Sequence, residues 1–305
     1  QKIEPEFFLP IIPTVILNGS SGIAVGFATN ILNRNPKDVV NACISVLSDK
    51  KIQSLSPWID EFSGTFKRDP NNPKTWKISG SYEVQNTTTV KITEIPPNFT
   101  YEKYENHLNN LIEKRIITTY EDNSSETIEY ILKFQRASLK EYITKGKLDN
   151  LLKINTQETE NLTTIDETGK LRIFDKVEDI VKYFVDFRLK WYEKRKLYLI
   201  NKLKKEALLL NNKARFIKDI IERKLNVNNV PKKTIISYLE QEKYDKSDGS
   251  YSYLLSMPIY TLTKERFDEL LNQAKEKKTE LKRIEKIKSK DMYIEDLYAL
   301  KNAIK

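Results

Sequence analysis

The spacing of hydrophobic positions changes along the chain, and each change predicts a different kind of structural element. Within residues 5–31, apolar side chains are interrupted by prolines and glycines, which predicts an extended or looped segment rather than one long helix. Within residues 36–47, apolar positions recur every three or four residues behind an acidic first turn. This second pattern predicts a short helix.

The next part of the chain is typical of short strands. Residues 62–93 are rich in β-branched and aromatic side chains between Gly and Asn turns, which predicts a small antiparallel sheet. Residues 101–114 return to helical spacing, and two further strands are predicted at residues 128–134 and around residues 171–174. The first 175 residues are therefore predicted to form an α+β domain.

A much longer helical repeat begins at residue 177. Its apolar positions are separated by four, three and four residues, and the alternation resumes after a phase slip at residues 193–196. Because the stretch to Leu225 lacks Pro and Gly, it predicts one helix of about 49 residues, roughly 73 Å at about 1.5 Å per residue. The predicted seam consists of Ile180, Phe184, Phe187, Trp191, Leu203, Ala207, Leu210, Ala214, Ile217 and Ile221.

A compact apolar element separates this helix from a second one. Pro231 is predicted to end the long helix, residues 232–258 to form a knob, and residues 263–284 to run back with heptad-like spacing. The pattern predicts a long antiparallel helical coiled coil with a small globular element at its tip. The predicted domains are residues 1–175, a descending helix at 176–230, the tip element at 231–260, and a returning helix with a C-terminal helix at 261–305.

The net charge points to a polyanionic partner and concentrates on one helix. The chain carries 52 Lys and Arg against 43 Asp and Glu, a net charge of +9, which favours nucleic acid as a partner. Between Lys182 and Lys224, 14 Lys or Arg stand against five Asp or Glu. A solvated coiled-coil face is the favoured explanation of this basic arm, and direct DNA contact is the alternative. For Trp191, Tyr192 and Tyr198, packing in the helix seam is likewise favoured over base stacking.

Candidate chemistry within the chain is sparse. Cys43 is the only cysteine and His107 the only histidine, which excludes a disulfide framework and a Cys/His zinc site and favours a reducing, intracellular compartment. No apolar run approaches the roughly 20 residues that a membrane-spanning helix needs. No Ser/His/Asp set or convincing carboxylate pair is present, so no catalytic, cofactor-binding or metal-binding residue is predicted.

A glycine-rich segment at residues 18–26 is the main candidate for a binding site. Its glycines lie at positions 19, 22 and 26, which fits neither the dinucleotide fingerprint nor the P-loop. On composition alone, a buried turn beside a core strand is the favoured interpretation. The alternative is a loop that approaches nucleic acid, in which Ile23 is an exposed wedge. In that hypothesis the groups that hold the phosphates are Asn18, Ser20, Ser21 and the backbone of Gly22.

This segment resembles the stretch that follows the cleavage tyrosine in type IIA DNA topoisomerases, in which the matching isoleucine intercalates and bends the duplex. Later segments are similar to the tower-domain signature and to the exit gate of eukaryotic and phage members, so the resemblance spans nearly the whole chain. The wedge segment favours the medium subunit of T-even bacteriophage topoisomerase. The motifs are Leu9-Pro10-Ile11-Ile12-Pro13-Thr14-Val15 for the phage protein, Ser20-Ser21-Gly22-Ile23-Ala24-Val25-Gly26 for gyrase, Thr93-Glu94-Ile95-Pro96 for the tower, and Tyr253-Leu254-Leu255-Ser256-Met257-Pro258-Ile259 for the gate.

The chain departs from the family pattern in two places. Many relatives have Pro-Pro-His-Asn after the wedge, where this chain has Leu32-Asn33-Arg34-Asn35, so the role of that histidine is not carried over. The family's Arg-Tyr pair occurs nowhere in the chain. The resemblance therefore implies that the catalytic tyrosine lies upstream of Gln1 and that this portion alone does not cleave DNA.

The resemblance also implies the activity and partners of the complete enzyme. That enzyme is an ATP-dependent type II topoisomerase, an isomerase with a role in DNA replication, which passes one duplex through a transient double-strand break in another. Mg²⁺ and ATP are expected on an ATPase and metal-binding region or subunit outside this chain. Double-stranded DNA and a second copy of the chain, joined at the exit gate, are the other expected partners. The expected location is the cytoplasm, or the host cytoplasm or nucleoid for a phage protein.

A rival hypothesis comes from a different functional class. A helical hairpin with a basic arm is also typical of a non-catalytic DNA-architectural or coiled-coil dimerisation protein. The α+β domain with the Ile23 loop favours the topoisomerase over this alternative.

Overall fold

A computed structural model describes Glu4 and residues 7–304. The other residues, which include the start of the predicted segment 5–31, lie outside this description. The chain divides into two compact units, Gln1–Val185 with Leu300–Lys305, and Asp186–Ala299. Each unit is described by itself below.

The first unit opens with a short helix, a hairpin and a second helix. Helix α1 spans Thr14–Leu17, strands β1 and β2 span Ser20–Ala24 and Phe27–Ile31, and helix α2 spans Pro36–Leu47. The predicted helix at residues 36–47 is confirmed. It starts where the Asn35 side chain accepts a hydrogen bond from the next turn and where a proline takes the first helical position.

Two antiparallel sheets follow, where the sequence pattern predicted a single small one. The change occurs at Gly80, whose N–H donates to the carbonyl of Ile154 at 2.9 Å. A Cβ atom at Gly80 would lie 2.3 Å from the carbonyl oxygen of Glu94, so only glycine lets the chain pass between the sheets here. The first sheet contains β3 (Thr65–Arg68), β4 (Thr75–Ser79) and β9 (Asn155–Thr159), and the second has the order β5 (Ser81–Val84), β6 (Thr89–Glu94), β8 (Tyr130–Phe134), β7 (Ile117–Asp122).

Helices pack against the four-stranded sheet to form the main core of this unit. Helix α3 (Tyr101–Glu113) confirms the helix predicted at residues 101–114, and its buried face meets the buried residues of β6 and β8. Strand β11 (Leu171–Ile173) was predicted, but its partner was not. The elements that the sequence pattern missed are β7, β9, α4 (Arg136–Thr144), α5 (Leu148–Leu151) and β10 (Thr163–Ile165).

A single helix of 45 residues, α6 (Val177–Ile221), confirms the predicted long helix. At about 1.5 Å per residue it extends roughly 67 Å. It ends before the predicted Leu225 because Arg223 adopts a left-handed conformation with φ 59°, and the carbonyl of Asp219 accepts the N–H groups of Lys224 and Leu225. The prediction that Pro231 ends this helix is therefore wrong, since that proline begins the next one.

The second unit is an antiparallel helical hairpin with a small domain at its tip. Lys204 pairs with Glu285 at 3.3 Å and Glu206 with Lys277 at 3.1 Å, so the residue number falls on one helix as it rises on the other. This direction confirms the predicted hairpin. Its remaining elements are α7 (Lys232–Gln241), α8 (Ser252–Leu255), a 3₁₀ turn (Ile259–Thr261), α9 (Lys264–Lys286) and α10 (Ser289–Ala303).

The predicted seam of α6 is correct in its second half and displaced in its first. Leu203, Ala207, Ala214 and Ile217 are buried, whereas Ile221 is exposed. In the first half, Phe184, Phe187 and Trp191 are only half-buried, and the fully buried stripe is Val181, Val185 and Tyr192. The displacement arises because Tyr192, rather than its neighbour Trp191, stacks on Tyr293 with ring centroids 4.6 Å apart.

The tip domain has its own apolar cluster around one buried carboxylate. Asp219 accepts hydrogen bonds from the hydroxyls of Tyr244 at 2.6 Å and Tyr238 at 3.2 Å. The apolar members include Phe216, Ile235, Leu239, Tyr251 and Leu254. Within the described part of the chain, no helix is both long and apolar enough to cross a membrane.

Candidate nucleic-acid interface

The β1–β2 hairpin presents two aliphatic side chains to solvent. Ile23 is 95% exposed and Val25 103% exposed, which is unusual for residues of this kind. Ala24 pairs with Phe27, so Val25 and Gly26 form a two-residue turn, and Gly26 supplies the left-handed conformation with φ +83°. The interpretation of residues 18–26 as a buried turn is therefore wrong, and the exposed-wedge geometry of the alternative is the one observed.

The predicted phosphate-binding groups lie on different faces of this hairpin. Because side chains alternate along a strand, Ser21 shares the face of Ile23, whereas Ser20 and Gly22 belong to the opposite face. The side chains of Ser20 and Ser21 form no hydrogen bond with another described residue. The structure thus brings Ser21 and Ile23 together and leaves both serine hydroxyls available to a ligand.

Asn18 and Gly19 make the connection from α1 into the hairpin. The Asn18 N–H donates to the carbonyl of Thr14 at 2.9 Å and ends α1, while its side chain remains exposed. Gly19 has φ +70°, and a Cβ atom there would lie 2.4 Å from Oδ1 of Asn33 and 2.7 Å from the carbonyl oxygen of Ile31. This close approach requires glycine, so Gly19 fixes the point from which the hairpin departs.

Backbone hydrogen bonds attach the base of the hairpin to the start of β10. Asn30 and Asn161 exchange N–H to carbonyl bonds at 2.9 and 2.8 Å, and the Asn30 side-chain amide donates to the carbonyl of Thr159 at 2.9 Å. Because Thr159 is the last residue of β9, these bonds tie β2 to the three-stranded sheet.

A buried ion pair lies directly beneath this attachment. Nη2 of Arg34 donates to both carboxylate oxygens of Glu160 at 2.9 and 2.8 Å, and the two side chains are 0% and 5% exposed. Glu160 also accepts from Nε1 of Trp76 at 2.9 Å and from the N–H of Leu32 at 3.0 Å. Sequence reasoning missed Glu160 and treated Arg34 only as a departure from the family pattern.

A second candidate surface is the polar face of the three-stranded sheet. Lys67 of β3 and Lys77 of β4 lie directly opposite each other, and neither ammonium forms an ion pair with a described residue. They line a groove of about 380 Å³ together with the hydroxyl residues Thr65, Ser79 and Ser81. Like charges placed opposite each other destabilise a sheet, so an anion bound between them would relieve the repulsion.

The basic arm of α6 is largely neutralised within the second unit. Lys204, Lys205 and Arg215 pair with Glu285, Asp248 and Glu242, and Nζ of Lys196 donates to the carbonyls of Glu285 and Ile287. The favoured interpretation, a solvated coiled-coil face, fits these contacts. Tyr192 likewise packs in the seam as expected, and its hydroxyl donates to Asp296 at 2.6 Å.

The tip of the second unit exposes an apolar pair. Ile259 is 77% exposed and Tyr260 81% exposed, and both lie in the 3₁₀ turn that follows the tip domain. Two large adjacent apolar side chains so exposed are typical of a protein-interaction surface.

No group in the described residues is arranged for catalysis. No cluster of three or more His, Cys, Asp or Glu that could hold a metal ion occurs among them. Burial raises the pKa of Tyr130 to about 12, and burial together with the Asp149 carboxylate raises the pKa of Tyr82 to about 12. A raised pKa disfavours the phenolate, which is the reactive form of tyrosine, so neither is set up as a nucleophile.

Comparison with known proteins places the whole chain in one group. The family model that describes the A chain of DNA gyrase/topoisomerase IV matches residues 1–299. DNA topoisomerase 2 of Plasmodium falciparum is 33% identical over 100% of this chain and 24% of its own length, and DNA topoisomerase 2 of Candida albicans is 28% identical over 97% and 24%. The chain thus spans about a quarter of the length of these curated relatives.

A solved structure agrees with the sequence comparisons. The crystal structure of the Plasmodium falciparum topoisomerase II DNA-binding, cleavage and re-ligation domain matches with a TM-score of 0.85 and 32% identity. The match covers 100% of this chain and 46% of that one.

Proposed function

Since the chain belongs to the DNA gyrase/topoisomerase IV family and is homologous to the DNA-binding, cleavage and re-ligation domain of type II topoisomerases, we propose that it bends the cleaved duplex and forms the exit gate. The complete enzyme is an isomerase that passes one duplex through a transient double-strand break in another. The chain supplies the hairpin that acts on the first duplex and the hairpin tip through which the second leaves.

The observation that carries this proposal is the position of Ile23 near the tip of a fixed hairpin. Its side chain is 95% exposed, so it buries almost nothing in the folded chain. An aliphatic side chain inserted between base pairs unstacks one step at a cost of about a few kcal/mol and kinks the duplex. The kink lets the duplex contact more protein surface, which offsets that cost.

Polar groups around the wedge hold the phosphates in this proposal. Asn18, Ser20, Ser21 and the Gly22 backbone lie along the same hairpin and its entry turn. Contacts of this kind fix the position of a duplex without selecting its sequence. Lys67 and Lys77 extend the track over the first unit, and their charge makes the binding dependent on salt.

The exit gate is proposed at the apolar pair of the second unit. Ile259 and Tyr260 of one copy meet the same residues of a second copy about a two-fold axis. Because the chain is a homodimer in this proposal, separation of the two tips opens the gate.

The remaining functions of the complete enzyme belong to other parts of it. The catalytic tyrosine lies before Gln1, and the covalent phosphotyrosine that it forms retains the bond energy needed for religation. Mg²⁺ and ATP are bound by a metal-binding and ATPase region or subunit outside this chain. The proposal includes an origin in a phage and a role in DNA replication inside the host cell.

The test of the wedge is Ile23→Ala in the complete enzyme. The bend of a short duplex labelled at both ends is measured by energy transfer at saturating enzyme, and the variant is expected to lose most of it. Ile165→Ala is the matched control, because Ile165 is 73% exposed on a different hairpin of the same unit. Wild-type bending by Ile23→Ala would exclude the proposed role.

A further inference from the structure

The carboxylate of Glu160 joins the hairpin to the three-stranded sheet. Leu32 directly follows β2 and donates its N–H to Oε1 of Glu160 at 3.0 Å. Glu160 directly follows β9, and its Oε2 accepts from Nε1 of Trp76, a residue of β4, at 2.9 Å. One side chain therefore connects the last strand of the hairpin with two strands of the sheet.

Arg34 completes this connection on the opposite side of the carboxylate. Its Nη2 donates to Glu160, its Nε donates to the carbonyl of Leu55 at 2.9 Å, and its Nη1 donates to the carbonyl of Leu32 at 2.6 Å. Each nitrogen of the guanidinium group has a partner although the side chain is fully buried. The guanidinium is planar and holds its donors at fixed angles, so these bonds set the direction of the chain that follows the hairpin.

Stability alone does not account for an ion pair in this place. Apolar side chains of similar volume often stabilise a core as well as or better than a buried ion pair, because charges lose their hydration. Hydrophobic contacts, however, are non-directional, whereas hydrogen bonds depend on distance and angle. The contribution specific to Arg34 and Glu160 is therefore a fixed orientation of the hairpin against the sheet.

A wedge needs such an orientation. Ile23 and Val25 bury almost nothing, so the tip is held only through the two strands. Stacked base pairs resist separation, and a hairpin free to tilt at its base would turn away instead of parting them. Resting on the proposed function of Ile23, we propose that Arg34 and Glu160 are positioning residues that hold the hairpin at a fixed angle so that insertion bends the duplex.

The experiment compares matched arginine variants in the complete enzyme. Arg34→Met removes the ion pair, and Arg68→Met is the control, because Arg68 lies over the same Trp76 ring at 4.7 Å but is exposed. The double variant Arg34→Met/Glu160→Gln removes both charges, so no unpaired charge remains buried. At saturating duplex, Arg34→Met and the double variant are expected to lose the energy-transfer change and to cleave DNA roughly 10- to 100-fold more slowly. Arg68→Met is expected to retain both activities.

Hydrogen exchange without DNA separates orientation from global stability. In the double variant, the amides of β1 and β2 are expected to exchange roughly tenfold faster, while those of β6 and β8 keep their wild-type rates. If β6 and β8 also exchange faster, Glu160→Gln, which keeps the side-chain volume, decides by the same measurements. Unchanged exchange of β1 and β2 overturns the proposal even where bending falls.

The two proposals fail in different ways. If Ile23→Ala loses bending but the double variant bends the duplex like the wild type, the positioning role is wrong and the wedge remains. If Ile23→Ala bends the duplex normally, the wedge is wrong, and the positioning role falls with it whatever the exchange rates of the hairpin.

Discussion

Arg34 and Glu160 are 126 residues apart in the chain and form a buried ion pair in which Nη2 lies 2.9 and 2.8 Å from the two carboxylate oxygens. The pair closes the first unit between its opening hairpin and its last long strand. It also means that neither residue can be lost alone without leaving a charge in a site from which water is excluded.

Glu160→Ala is therefore expected to destabilise the first unit strongly. The change leaves the Arg34 charge buried without a partner, which costs about 3–5 kcal/mol. Chemical denaturation of the chain, followed by Trp fluorescence, measures the loss. Glu141→Ala is the control, because Glu141 pairs with Lys145 on the surface and such a pair contributes about 1 kcal/mol or less. Equal losses in the two variants would contradict the role assigned to burial.

Lys67→Gln/Lys77→Gln is expected to weaken DNA binding equally for all sequences. Each lysine that contacts a phosphate contributes about one unit to the slope of log affinity against log salt concentration, so the double variant should lose about two. Fluorescence anisotropy across a salt series provides the measurement. An unchanged slope would place the groove outside the DNA track, and removal of the cross-strand repulsion would then leave only a more stable sheet.

Ile259→Ser/Tyr260→Ser is expected to weaken dimerisation of the chain. Apolar anchors at the centre of an interface contribute about 2 kcal/mol or more each, so sedimentation should show a shift from dimer to monomer. Ile165→Ser tests whether any exposed isoleucine has this effect, since Ile165 lies in the first unit. A dimer constant that is equal for both variants would remove the gate from this turn.

The stability of the first unit is expected to fall as the pH drops below the ordinary pKa of histidine, 6.5. Burial lowers the pKa of His107 in the folded chain, so the unfolded chain takes up a proton at a pH where the folded chain does not. The unfolding temperature at pH 7.5 and pH 5.5 tests this sign. His107→Gln should show a smaller difference between the two conditions, since no other histidine is present.

Elements with a strong local period were predictable. Helix α2 buries Val39, Val40, Cys43 and Leu47, and their spacing alone indicated that face. The long helix was predictable for the same reason, since nothing between Val177 and Ile221 interrupts it. Its first seam was not, because Tyr192 competes with Trp191 for the buried position and only the stacking partner Tyr293 decides between them.

Features that depend on contacts between distant residues escaped the sequence. Strand β9 has no apolar alternation of its own, since its register is set by pairing with β4. Glu160 follows it and looks like a surface acid until Arg34 and Trp76 are placed around it. The exposure of Ile23 was also undecided, because glycines accompany both buried turns and exposed hairpins.

Ile23 illustrates how separately the two demands on this chain act. Because its side chain is almost wholly in solvent, the folded state is nearly indifferent to which residue stands there. Gly19 beneath it is the reverse, since the turn tolerates no other residue whatever the hairpin touches. Natural variation at position 19 should therefore record the needs of folding, and variation at position 23 should record only the needs of the bound state.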